Sequence, residues 1–270
     1  MKTNVYSLDG KILKQASLPA FFSTPYRDDL IKRAVLSEES KEYQPKGAYR
    51  WAGLNTSAKY RGRKEMFGAI KNKGIPHLPH EVLPKGQYGK VKRVPHAVKG
   101  RRAHPPKPQK IIIEEMNKRE YLLALWSALA ATTDKEIVSA RCGNGVVSSQ
   151  LPVPFVVDNS FEKLSRTKTV LDVFDSLKLS FLVEKSREKR KSVSGVRCRS
   201  VRTKTPKGAL FVVGDDCSAL KAGRNIPGVD MVKASQLKVK LLAPGTHAGR
   251  VTVYTENALA KIEELYSKVN

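Results

Sequence analysis

The chain has 270 residues, with 50 lysines and arginines against 25 aspartates and glutamates, a net charge of +25 and a pI near 10.0. That length buries a substantial core, while the charge lies outside the range of an ordinary soluble enzyme and points to a polyanionic partner. Three cysteines without paired spacing, Cys142, Cys198 and Cys217, speak against a disulfide framework and for a reducing compartment; no apolar run is long enough to cross a bilayer, and Met1-Lys2-Thr3-Asn4 leads into no signal-peptide core.

At the N-terminus, Val5-Tyr6-Ser7-Leu8 and Lys11-Ile12-Leu13-Lys14 flank Asp9-Gly10, a hairpin signal. Thr24-Pro25 then opens a predicted helix through Leu36, with Leu30, Ile31, Ala34 and Val35 on one side. From 45 to 110 the pattern changes. Glycine and proline interrupt every periodic stretch, and 17 basic residues stand against Glu65 and Glu81. A segment this long without periodicity is either functional or disordered. We expect it to stay largely unfolded until a partner orders it.

Ordinary patterning resumes at Ile111, where Ile112, Met116, Leu123, Trp126 and Ala130 predict a helix with Glu114 and Glu115 near its start. Thr133-Asp134-Lys135-Glu136 reads as the capping box of a second helix closed by Gly143. A buried strand is predicted over 154–157, a helix from Thr169 with Val170, Phe174 and Leu177 on one face, and a second buried strand over 209–213. Then follow a helix over 217–224, a strand over 229–232, an extended stretch over 237–242, a strand over 251–254, and a final helix capped by Thr255 running to about Lys268, with Leu259, Ile262 and Leu265 inward. Apolar strands alternating with amphipathic helices predict an α/β fold: a single globular domain of residues 1–44 and 111–270, its largely parallel central sheet flanked by helices, plus a long irregular basic extended loop over 45–110. A second basic loop is expected over 185–207, where ten cations face Glu188. The two basic stretches together hold 24 of the 25 net charges.

Catalytic chemistry finds little footing. The run from Gly143 to Ser148 lacks the third glycine of a dinucleotide fingerprint and follows a helix rather than a strand. Asp215-Asp216 after a strand suit a turn and helix cap, with no histidine nearby, and no GxSxG elbow is present. His77-Leu78-Pro79-His80 has a metal-like gap, but no cysteine accompanies it. We therefore expect no catalytic residue, no metal and no cofactor.

The basic segments fit nucleic acid. In the longer one, cations mix with Tyr49, Trp51, Tyr60, Phe67 and Tyr88, which can stack on bases, and with glycines that let the backbone approach phosphates. The residues expected to meet RNA on the outgoing stretch are Arg50, Trp51, Lys59, Tyr60, Arg61, Arg63, Lys64, Lys71 and Lys73. On the return they are Lys85, Lys90, Lys92, Arg93, His96, Lys99, Arg101, Arg102, His104 and Lys107, with Pro105-Pro106 stiffening the chain. The second segment adds Arg187, Lys189, Arg190, Lys191, Arg197, Arg199, Arg202 and Lys204. No helix-turn-helix, zinc finger or basic zipper is visible, and irregular loops suit folded RNA better than a regular duplex.

Several stretches carry a resemblance. Phe22-Ser23-Thr24-Pro25-Tyr26-Arg27-Asp28-Asp29-Leu30-Ile31-Lys32-Arg33-Ala34-Val35, Gly100-Arg101-Arg102-Ala103-His104-Pro105-Pro106-Lys107, Ser127-Ala128-Leu129-Ala130-Ala131-Thr132, Gly223-Arg224-Asn225-Ile226-Pro227-Gly228-Val229-Asp230 and the run from Leu241 to Arg250 resemble the large-subunit ribosomal protein L-four family in its archaeal and eukaryotic form. The resemblance implies a non-catalytic, cytoplasmic protein on the ribosome. Its partners would be large-subunit rRNA, neighbouring ribosomal proteins, and nascent polypeptide near a loop tip in the exit tunnel, for which residues 61–73 are the best candidate. The absence of the long C-terminal extension of most eukaryotic members points to the archaeal branch. Residues 60–88 and 189–207 depart most from the family pattern. The competing expectations are an α/β enzyme acting on RNA, which would need a cofactor loop or an acid-base set, and a free RNA-binding regulator.

Overall fold

Apolar runs with no polar side must be covered on both faces, and here they line the interior of one sheet. The structure is a computed structural model that describes residues 1–142, 153–195 and 202–267. The chain divides into a body, Met1–Lys41 with Ile113–Asn270, and an insert, Glu42–Ile112. In chain order the elements are β1 (Lys2–Tyr6), β2 (Ile12–Ser17), α1 (Asp28–Glu42), β3 (His80–Val82), β4 (Tyr88–Val91), α2 (Lys118–Ala130) and α3 (Lys135–Cys142). They continue with β5 (Phe155–Val157), α4 (Thr167–Ser176), α5 (Ser180–Glu188), β6 (Lys191–Val193), β7 (Arg202–Lys204), β8 (Leu210–Val213), α6 (Ser218–Gly223), β9 (Asp230–Lys233), α7 (Val239–Leu242), β10 (Thr252–Thr255) and α8 (Glu256–Ser267).

The body's sheet has the order β2-β1-β5-β10-β8-β9. Only β1 and β2 pair antiparallel, so the central sheet is largely parallel. Alternate residues serve opposite layers, as the two-residue period of a strand requires. Val5, Val156, Leu210, Val212 and Tyr254 belong to one cluster with Ile31 and Val35 of α1, Leu125 and Leu129 of α2, and Leu259 and Ile262 of α8. Phe155, Val157, Phe211, Val213 and Val253 belong to the other, with Val138 of α3, Phe174 of α4, Leu182 of α5 and Ala219 of α6. Phe211 stacks on Phe161 at 5.1 Å and tilts against Phe174 at 4.9 Å.

Where the elements differ from the sequence reading, distant side chains are the reason. α2 begins at Lys118 rather than near Ile111. Ser37 Oγ donates to Glu114 O at 2.6 Å and Ser40 Oγ accepts from Glu114 N at 2.9 Å, which holds that stretch extended beside α1, and Asn117 caps the helix at Arg119 N. Residues 239–242, expected extended, form α7 because the Glu38 carboxylate accepts from Val239 N at 3.1 Å and Lys240 N at 2.9 Å, satisfying its first N–H groups. α1 starts later than predicted, with Asp28 and Asp29 in its first turn, and runs on to Glu42. Leu265 is exposed rather than inward. Thr255 does cap α8, its Oγ1 accepting from Ala258 N. The predicted Gly143 stop, the glycine run after it and the helix end at Lys268 lie outside the described residues.

One cation sits inside the body. The side chain of Arg250 is 1% exposed, and its guanidinium donates to Gly208 O (2.7 Å), Leu241 O (2.9 Å), Ala209 O (3.0 Å) and Asp230 Oδ2 (2.7 Å). It thereby joins the approaches to β8, β9 and β10 and the end of α7. Burial opposes ionisation of Asp230, but Arg250 and Lys207 outweigh it and hold the carboxyl below the usual range. Replacing Arg250 with Met leaves the half-buried Asp230 carboxylate with Lys207 alone and several carbonyls without that donor, and should cost about 3 kcal/mol or more in urea unfolding. Because the folded-state value of Asp230 is depressed, the pair contributes fully at neutral pH and its contribution is lost as pH falls from about 4 through that lowered value. An Asp230→Asn variant should show a shallower acid-induced loss of stability.

Candidate nucleic-acid interface

The insert reads as irregular throughout, yet it has an ordered centre of its own. β3 and β4 pair antiparallel, His80 opposite Val91 and Val82 opposite Tyr88. His80 is buried, with Nδ1 2.9 Å from Gly89 O and Nε2 3.0 Å from Pro76 O, so neither ring nitrogen is free for a metal. Lys59 N donates to His80 O at 3.1 Å, and Ala58, Ala69 and Ile70 are buried. Tyr88 Oη donates to Ala69 O at 2.7 Å while Lys73 Nζ donates to Tyr88 Oη at 2.8 Å and lies 5.1 Å from the ring centre.

The expected RNA-contacting residues fall into two sets. Arg61, Lys92 and Arg93 are half-buried and spend part of their donor capacity on the insert's own carbonyls: Arg61 on Phe67 O at 2.9 Å, Lys92 on Val98 O and Arg93 on Ala58 O, both at 3.2 Å. These cations brace the turns that carry them and keep N–H groups to spare. The exposed set comprises Arg50, Trp51, Lys59, Tyr60, Arg63, Lys64, Lys71, Lys73, Lys85 and Lys90 and, further on, His96, Lys99, Arg101, Arg102, His104 and Lys107. Arg50 lies over Trp51 at 5.7 Å. Lys85, Arg93 and Lys99 take φ of 59°, 71° and 59°, a left-handed backbone that side chains other than glycine seldom adopt.

The second basic stretch, expected as a loop, is the end of α5 followed by the hairpin β6–β7. Arg187, Lys189, Arg190, Lys191 and Lys204 are exposed, and Lys191 stands directly opposite Lys204 in the ladder. Like charges placed so destabilise a hairpin unless an anion lies across them. Arg197, Arg199 and the side chain of Arg202 lie outside the described residues.

The body holds a further basic concavity of about 790 Å3, lined by Arg141, Lys185, Lys189, Lys207 and Arg250, with Asp28 at its rim. Arg141 donates to the carbonyls of His247 and Pro244, and burial, then the proximity of Arg250, pulls its guanidinium down to about 10. Lys185 donates to Cys142 O. Sequence reasoning missed this gathering as a site. Lys185 and Lys207 bounded the second basic stretch, but Arg141 is isolated in α3 and nothing local marks it.

The opposite ends of the strands, where α/β sheets often bind ligands, are closed. Glu162 accepts from Gly214 N (2.9 Å), Thr255 Oγ1 (2.8 Å) and Asn257 Nδ2 (3.3 Å). Asp215 and Asp216, weighed above as carboxylates for chemistry, are exposed and pair with Lys261 and Lys233. A half-buried carboxylate tied to three donors and two paired surface aspartates offer no acid-base pair.

Fold and surface define an α/β body whose ligand crevice is filled from within, interrupted by a strongly basic insert. The ribosomal protein L4/L1 family pattern matches residues 16–265. The chain is 44% identical over 267 residues to the large ribosomal subunit protein uL4 of Methanocaldococcus jannaschii, covering 98% of this chain and 100% of the relative. It is 40% identical to that of Methanosphaera stadtmanae (99% and 98% covered) and 38% identical to that of Haloquadratum walsbyi (98% and 100% covered). The chain belongs to the ribosomal protein L4/L1 family, and is a structural protein rather than an enzyme.

If His80 organises the insert, His80→Ala should speed amide exchange at Lys59 and Lys92, whose N–H groups bond to His80 O and Pro79 O, while amides of β8 and β10 keep their protection. Equal loosening of both units would contradict that role.

Proposed function

We propose that the chain is a cytoplasmic structural component of the large ribosomal subunit, binding large-subunit rRNA through the insert and the α5–hairpin stretch and supporting subunit assembly. The observation that carries this reading is the confinement of 24 of 25 net charges to these two stretches, most of whose described cations are exposed and unneutralised by carboxylates. Neutralising phosphates releases condensed counterions, and six to ten such contacts make affinity fall by about 10³–10⁵ between 50 and 200 mM salt. The strained turns and the Lys191–Lys204 pair fit a surface that meets its anion in the particle.

Residues 61–73 form the segment assigned to the exit tunnel wall, where nascent polypeptide would pass. Supporting this, Phe67 and Met66 are exposed among Arg61, Arg63, Lys64, Lys71 and Lys73, and Gly74 has open space around it. Other large-subunit proteins are the expected neighbours of the body. In sedimentation the protein should co-migrate with large subunits after a moderate salt wash, and replacing Arg101 and Arg102 with Ala should reduce its incorporation severalfold. Early release of the unaltered protein would instead mark a free regulator.

A further inference from the structure

Residues 48–54 and 101–108 of the insert lie face to face. Ala48 N donates to Pro106 O at 3.3 Å. Gly53, at φ +73°, approaches the other limb so closely that a Cβ there would sit 2.5 Å from Gly100 O and 2.6 Å from Arg101 N. The limbs meet backbone to backbone because that position carries no side chain. Between them is a cavity of about 570 Å3, within the roughly 300–1,000 Å3 range of small-ligand sites.

Its lining combines two chemistries. Arg50, Arg101, Arg102 and Lys107 contribute positive charge with no carboxylate among the lining residues, and Tyr49, Leu54 and the Pro105-Pro106 pair contribute flat or apolar surface. Tyr49 is 65% exposed, and its hydroxyl accepts from Asn55 Nδ2 at 3.3 Å, which steadies the ring. Phosphate alone would use the guanidiniums, whose fork fits it bidentately, and leave the apolar wall idle. A nucleobase with its flanking phosphates uses both.

We propose that this cleft is a site for one unstacked nucleotide of single-stranded RNA, its base against Tyr49 and the proline pair and its phosphates on Arg50, Arg101 and Arg102. The assignment deepens the rRNA-binding reading and rests on it.

The test uses the full-length protein at moderate salt and a fluorescein-labelled single-stranded RNA nonamer, intact or with one central abasic ribose. The intact RNA should bind about tenfold tighter, since base stacking on an aromatic is worth that much or more. Tyr49→Ala should abolish the difference while binding the abasic RNA as the unaltered protein does. Gly53→Val, which removes no cation and no ring but wedges the limbs apart, should abolish it too. Equal affinity of the unaltered protein for both RNAs, or a preference that survives Tyr49→Ala, overturns the site, as does displacement of the RNA by an acidic Asp-Tyr peptide at equal charge concentration. Salt-sensitive binding of the abasic RNA persists in those cases if the broader reading is right; its absence overturns both.

Discussion

Among the described residues Arg250 is the only lysine or arginine that is buried, and the body is organised around satisfying it. A guanidinium withdrawn from water must be paired and fully hydrogen-bonded, or its desolvation cost exceeds what its neighbours return. Here the donors are met by the carbonyls of Gly208 and Ala209 before β8, Gly228 before β9 (3.4 Å) and Leu241 in α7, and by Asp230. The strands must arrive in one register for those acceptors to converge. Burial pulls Arg250 below the usual guanidinium range, with Asp230 opposing the fall, so the charge is retained and the convergence with it.

That arrangement lets a neutral body coexist with a highly charged chain. Most lysines and arginines of the insert and the described ones of the β6–β7 hairpin are left at the surface, with Lys191 facing Lys204 at a cost to local stability. The strand ends that could serve a small ligand are filled by Glu162. The body stabilises itself, and most of the described cations of the charged segments stay exposed.

Much of this was legible in the sequence, and the limits have physical causes. The strands at 155–157 and 210–213 are short apolar runs whose every residue is buried, so composition alone marks them, and 252–255, equally buried, is marked by its β-branched and aromatic residues. α7 was invisible because its cap is Glu38, about 200 residues away. α2 was placed too early because Ser37 and Ser40 claim the backbone of Glu114 before the helix begins. The cations of the interface were named individually, since charge needs no partner to be seen. The cleft of Tyr49 and Arg101, the central role of His80 and the gathering of Arg141 with Lys185 were hidden, because each is made by residues far apart in the chain.

The central claim is that the two basic stretches, and not the remainder of the body, carry affinity for RNA. It is tested most directly by the salt dependence of binding to a large-subunit rRNA fragment, comparing the unaltered chain with one whose exposed lysines and arginines in the insert are replaced by glutamine. The account predicts a steep decline of log affinity with log salt, about 0.7–0.9 per phosphate neutralised, that becomes much shallower in the replaced chain while its urea unfolding is unchanged. An unchanged slope would contradict it.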